Sequence, residues 1–264
     1  MDLPEIERIW NQHSRPSYWP VTADEMDYIQ DLIKQHRPAS FIEIGTASGL
    51  SGGLICLLLD EYDGKRFVTV DSDKTFFGDN TKENGFLLEP IYPGGKVEVS
   101  YLPLTIAADV PSMGETFDMA FVDACHQHPW PLIDTLCLYP VMGGSKVVVQ
   151  HDLNLYRFQT DKIYGIGPKY LYDQFPHIYR DRSTKLGINL PGWDNYGNIY
   201  SVSLDLPIAR MEQIAKDGFA IPWSLAYTIP ESRLDAIRTV FRTYYDPSLV
   251  AVFDKCVDKF NRPI

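Results

Sequence analysis

The sequence predicts an α/β protein: a mostly parallel sheet with helices on both faces, followed by a helical C-terminal extension. Three observations carry this expectation. Five short apolar runs alternate with helical or loop segments, which is the pattern of strands buried on both sides. The first run leads directly into a glycine turn and a second apolar segment of helical length, as strand, turn and helix do. Polar residues gather at or beside the ends of the runs.

The elements follow in order. In VTADEMDYIQDLIKQ, Thr22 with Glu25 forms a capping box, and Met26, Ile29, Leu32 and Ile33 recur at helical spacing, so a helix is predicted that Pro38 ends. SFIEI (Ser40 to Ile44) is a buried strand, and Ser48 to Leu59 is a largely buried helix that stops before EYDGK. RFVTV then ends at Asp71, KVEVSYL follows a Pro-Gly-Gly turn, FDMAFV ends at Asp123, and SKVVVQ ends at His151 and Asp152. Lys169 to Gln174 is a short helix, while HIYRDRSTKLGINL and NIYSVSLDL, joined by PGWDNYG, form an antiparallel pair at the sheet edge. From Pro207 onward the chain reads as helical, with Asp246 and Pro247 as cap and first-turn pair of the last helix. This extension suits a substrate lid, a dimerisation surface or plain packing, and a homo-oligomer is compatible with it.

Composition excludes several functions. A chain of 264 residues, 45% hydrophobic, can bury the core of one sizeable domain with additions. Its net charge of -11 and lack of a basic run argue against nucleic acid as a partner. The acidic amino terminus and the absence of a long apolar stretch predict a cytoplasmic protein with no membrane partner. Cys56, Cys125, Cys137 and Cys256 lack CxxC spacing, which favours reduced thiols.

Ligands of an open parallel sheet sit outside the carboxyl ends of the strands. Glu43, Asp71, Asp123, His151 and Asp152 all lie at or beside such ends, and buried carboxylates are costly without partners. In FIEIGTASGLSGG, Gly45 and Gly49 permit a tight turn and close approach to a ligand. The turn lacks the middle glycine of a dinucleotide fingerprint, which disfavours a dehydrogenase.

That turn resembles the E-x-G-x-x-x-G turn of class I S-adenosylmethionine-dependent methyltransferases, and the likeness spans roughly Thr22 to Leu204. It implies a Rossmann-like, seven-stranded, mostly parallel sheet, a methyltransferase domain over 1–206 with an N-terminal helical segment, and a helical extension over 207–264 packed on it. It also implies S-adenosyl-L-methionine as cofactor, with Glu43, Gly45, Thr46, Gly49 and Ser51 about its methionine part, Asp71 at the ribose, and Asp123 beside it.

The stretch FDMAFVDACHQHPWPLIDTLCLYPVMGGSKVVVQHDLNLY is similar to the corresponding segment of metal-dependent small-molecule O-methyltransferases, the catechol and caffeoyl types and the bacterial branch acting on sugars and antibiotics. By that resemblance a divalent metal, Mg2+ or Mn2+, is held by Asp123, His151 and Asp152. His151 departs from the oxygen ligand usual there, which shifts preference toward manganese, iron or zinc, or leaves a site without metal that depends on His126. His126 is the expected general base beside Asp123, His128 is its rival, and a helix cap is the plainer role for either. Asp152 likewise has the plainer role of capping a helix after Asn154. Trp130, Tyr156, Trp193, Tyr196, Tyr18 and Trp19 are candidate walls for a planar acceptor. The expected function is therefore O-methylation of a small molecule in natural-product biosynthesis, with metal-independent N- or C-methylation and non-catalytic nucleotide binding as alternatives.

Overall fold

The computed structural model describes residues 1–18, 20–157, 165–184 and 197–264. Asp2 caps α1 (Leu3–His13) by accepting from the Glu5 N–H, with Pro4 in its first turn. Sequence reading passed over this cap-and-proline signal. Helix α2 (Ala23–His36) carries the predicted capping box between Thr22 and Glu25. Then come β1 (Ser40–Ile44), α3 (Leu50–Glu61), β2 (Arg66–Asp71), the single turn α4 (Leu88–Ile91), β3 (Glu98–Pro103), β4 (Phe117–Val122), α5 (Trp130–Leu138), β5 (Met142–Gln150) and α6 (Gly167–Gln174). The chain continues with β6 (Arg180–Arg182), β7 (Tyr200–Ser203), α7 (Ile208–Ala220), α8 (Glu231–Tyr244) and α9 (Pro247–Phe260).

Among the described residues the strands form one seven-stranded sheet in the order β3-β2-β1-β4-β5-β7-β6. The first five are parallel, and β7 joins β5 and β6 antiparallel. The order reverses between β1 and β4, where parallel sheets open their ligand crevice.

Strand alternation sorts the core into two layers. Ile42 and Ile44 of β1 and Ala120 and Val122 of β4 face α5, whereas Phe41, Met119 and Phe121 face α2 and α3. The first layer is continuous with the apolar faces of α7, α8 and α9, where Phe219, Trp223, Phe241 and Phe253 pack ring against ring at 5.2 to 6.3 Å between centroids. The extension is not helical throughout, because residues 221–230 run as a loop between α7 and α8. Its backbone bonds to the β4–α5 connection instead of to itself: Ser224 N–H donates to His128 O at 2.9 Å, and Ala226 N–H to Gln127 Oε1 at 2.9 Å. All four cysteines are free. No helix among the described residues is long and apolar enough to cross a membrane. Trp19, Trp193, Tyr196 and the loop PGWDNY lie outside the described residues.

Candidate active site at the strand ends

Ladder bonds that continue past the strand ends assemble the site. Gly45 N–H donates to Val70 O at 2.9 Å, Asp123 N–H to Ile44 O at 2.9 Å, and His151 N–H to Val122 O at 3.2 Å. The residues following β1, β2, β4 and β5 therefore stand side by side, although Gly45 and His151 are over a hundred positions apart. Gly45 has φ +100°, and a Cβ there would lie 2.2 Å from the Asp123 carbonyl oxygen. Only glycine permits this contact.

A cavity of about 270 Å³ opens over these ends, bounded by Gly45, Ala47, Asp71, Ile106, Asp123 and Trp130. Asp71 closes one side. Its Oδ2 accepts from the N–H groups of Thr46 at 3.0 Å and Ala47 at 3.1 Å, and Oδ1 accepts from Asp73 N–H at 3.0 Å, so the carboxylate ties the glycine turn to β2. Burial raises its pKa against these hydrogen bonds.

Glu43 is placed differently from the expectation. Strand alternation sends its side chain to the side of Phe41, beneath α3, and it does not line the cavity. Its Oε1 accepts from Ser51 Oγ and its Oε2 from Thr69 Oγ1, both at 2.6 Å, and Thr69 meets Thr46 Oγ1 at 2.7 Å. Complete burial lifts its pKa to about 8, against the lowering effect of the two hydroxyls. Thr46, Gly49 and Ser51 thus serve the turn and its support. Gly49, at φ +83°, is the residue immediately before α3.

The second half of the site is a cluster of acids and imidazoles. His126 Nε2 lies 3.0 Å from Asp152 Oδ2 and 3.6 Å from Asp123 Oδ1. His151 sits between carboxylates: Nε2 is 3.1 Å from Glu25 Oε2, and Nδ1 is 3.3 Å from Asp123 Oδ1 and 3.4 Å from Asp152 Oδ1. Both nitrogens are within ion-pair range yet lack hydrogen-bond alignment. Burial alone would discharge both imidazoles. The carboxylates outweigh it, Asp152 chiefly for His126 and Glu25 chiefly for His151, so both pKa values rise. Asp152 is correspondingly held well below the carboxylate range, its own burial overcome by the two histidines. Its backbone is left-handed at φ +60°, a conformation seldom adopted outside glycine and often found at functional positions.

Asn198 completes the cluster by donating to Glu25 Oε1 at 3.0 Å and Asp152 Oδ1 at 3.1 Å. Sequence reading missed both partners. Glu25 was legible as a capping residue, and it does accept from Thr22, but the same carboxylate reaches His151. Asn198 carried no signal.

Asp123, His126 and Asp152 bring one ligand atom each within 4.8 Å of one another, an arrangement able to hold a metal ion. The grouping contains His126 rather than His151, which the sequence had named. The mixed oxygen and nitrogen donors fit a divalent transition metal better than magnesium. Asp152 does not act as a side-chain cap.

His128 is not a second base. It is buried, its Nε2 lies 3.1 Å from the Gly218 carbonyl, its N–H donates to Ser224 Oγ at 3.0 Å, and burial pushes its pKa down to about 4. Of the proposed aromatic walls, Trp130 lines the cavity, whereas Tyr18 packs edge-on against Phe76 and Phe86 at 5.5 Å and Tyr156 is capped by Arg157.

A seven-stranded sheet with this reversal, a glycine turn after β1 and an acid after β2 define a class I methyltransferase fold. Residues 42–153 match the model of a family described as a methyltransferase domain. The chain thus has the class I methyltransferase fold, and the match to a methyltransferase domain covers its central portion. No curated protein matches it by sequence. Among solved structures it is similar to the O-methyltransferase TomG from Streptomyces achromogenes in complex with SAM, at 17% identity and TM-score 0.50, over 76% of this chain and 89% of that one. It is also similar to cofactor-bound Rv0187 from MTB, at 14% identity and TM-score 0.51, over 78% and 90%. At such identities the likeness is one of fold.

Proposed function

We propose that the protein transfers a methyl group from S-adenosylmethionine to a hydroxyl oxygen of a small molecule, assisted by a divalent cation held by Asp123, Asp152 and His126. One observation carries the reading: Asp123 belongs both to the cavity over the strand ends and to the metal-competent cluster. A donor methyl and a bound hydroxyl would meet across that single residue. When bound, such a cation lowers the pKa of a hydroxyl and fixes its position. The chain's own part is to hold the acceptor in line and to keep the cluster rigid. Asn198 bridges Glu25 and Asp152, and Glu25 backs His151, so the two carboxylates facing the acceptor are braced from behind.

A second reading is favoured by the 3.0 Å between His126 Nε2 and Asp152. Here His126 takes the hydroxyl proton itself and Asp152 stabilises the resulting imidazolium. Either way the methyl leaves the sulfonium sulfur for oxygen, and the hydroxyl proton goes to a base.

The acidic chain and the small cleft support a small acceptor rather than nucleic acid. We place that acceptor in natural-product biosynthesis, the setting in which TomG, named for tomaymycin synthesis, works. Turnover with methyl-labelled S-adenosylmethionine and a panel of phenols, sugars and amines tests the reaction, and label found only on nitrogen or carbon refutes it. Activity that survives both exhaustive chelation and Asp123→Asn refutes the cation. If chelation leaves activity intact while His126→Asn abolishes it, the second reading stands.

A further inference from the structure

The cavity is not lined by the sheet domain alone. Tyr227 and Arg233, from the loop and helix of the C-terminal extension, line it together with Cys125, Trp130 and Asp134. These residues surround Cys125. The Tyr227 hydroxyl lies 3.9 Å from its sulfur, and both Asp134 and Arg233 act on its thiol electrostatically.

Three features mark this part of the lining as built for a ligand. The Asp134 carboxylate is 4% exposed and meets no hydrogen-bond or ion-pair partner among the described residues, a costly state for a buried acid. Burial holds its pKa near 7, slightly relieved by His126. The indole N–H of Trp130, also 4% exposed, meets no partner of full hydrogen-bond geometry among the described residues and is directed toward the Tyr227 hydroxyl, which also lines the cavity. Trp130 and Asp134 are one turn apart on α5 and share its cavity face. The Arg233 guanidinium makes no ion pair with any described residue, unlike Arg66, Arg180 and Arg238.

The segment that presents these groups is fixed. Ser224 and His128 exchange two bonds, Ala226 bonds to Gln127, and Asn261 both donates to Ile229 O at 3.0 Å and accepts from its N–H at 2.7 Å. The loop between α7 and α8 is thereby fastened to the connection that carries Cys125.

Resting on the methyltransferase reading, we propose that the C-terminal extension completes the nucleoside pocket, with Tyr227 and Arg233 as cofactor-binding residues and Asp134 as acceptor for the exocyclic amine of the base. An acceptor flanked by donors matches adenine, which presents an amine donor beside ring-nitrogen acceptors. A base with a keto oxygen in place of the amine would turn an acceptor toward Asp134. The extension thus contributes to the choice of nucleoside.

Calorimetric titration with S-adenosylhomocysteine and its keto counterpart, S-inosylhomocysteine, tests this. Wild-type protein is expected to bind the inosyl compound at least about tenfold more weakly, since a site built to pair with an amine rejects its keto analogue. Arg233→Met and Tyr227→Leu should each weaken S-adenosylhomocysteine about tenfold without changing the unfolding midpoint of the free protein, because neither side chain bears on the core. Asp134→Asn should shrink the adenosyl-to-inosyl ratio to below about threefold, since an amide can donate to the keto oxygen. Arg233→Met and Tyr227→Leu affinities within twofold of wild type overturn the role of the extension. A ratio unmoved by Asp134→Asn removes Asp134 from the site. Wild-type protein that binds neither compound overturns the cofactor reading itself.

Discussion

Replacing Glu43 by glutamine should stabilise the protein at alkaline pH and leave it unchanged in acid. Glu43 is fully buried between β1, β2 and α3, and both its oxygens meet hydroxyls that can donate or accept. Burial lifts its pKa from the ordinary 4.5 to about 8, so between those values the folded state holds a proton that the unfolded chain has released. Stability from this group is complete below the unfolded pKa and is lost as pH rises through the folded one. At 1.36 kcal/mol per pH step the full linkage is about 5 kcal/mol, of which about 3 to 4 kcal/mol falls between about pH 5 and pH 8. Glutamine is isosteric and cannot ionise. Its carbonyl accepts from Ser51 and its amide donates to Thr69, preserving the network. Urea unfolding of wild type and Glu43→Gln at several pH values isolates the effect, because every other titrating group is common to both. Two parallel stability profiles, or a variant less stable than wild type at pH 8, refute the picture of a neutral acid supporting the turn.

Three further outcomes follow from the geometry. Gly45→Ala drives a Cβ to 2.2 Å from Asp123 O at a positive φ, so it should cost about 3 kcal/mol in urea unfolding and weaken S-adenosylhomocysteine in calorimetry. Phe253→Ala empties the centre of the aromatic cluster that joins the extension to the sheet. It should cost about 3 to 5 kcal/mol, and a loss below about 1 kcal/mol would mean that α9 packs loosely. On the proposed cation reading, Mn2+ affinity should strengthen as pH rises, with proton release, because neighbouring carboxylates hold His126 above the ordinary histidine value and its proton must leave before it can bind the ion. Calorimetry in two buffers of different ionisation enthalpy measures the protons, and a pH-independent affinity contradicts that arrangement.

Much of the fold was legible because its signals are local. The capping box at Thr22, the Asp246 cap and the five apolar runs need only neighbours a few residues away. The site was legible in part for a related reason: strand ends can be counted along the chain, and parallel strands bring their ends to one rim. Legibility failed where one residue had two partners. Glu25 satisfied a local motif and so gave no sign of its bond to His151. His128 and His126 are two positions apart with the same chemistry, yet only packing against Gly218 and Ser224 turns the first away.

The sequence by itself determined the order of elements, the glycine turn and the acids at the strand ends, since each follows from spacing and residue type. Tertiary structure decided which imidazole faces the acids, that Glu43 lies under α3 rather than in the cavity, and that Arg233 and Tyr227 reach the cavity at all. Those outcomes depend on the direction in which side chains leave elements that meet only after the chain has folded, and no local periodicity encodes that direction.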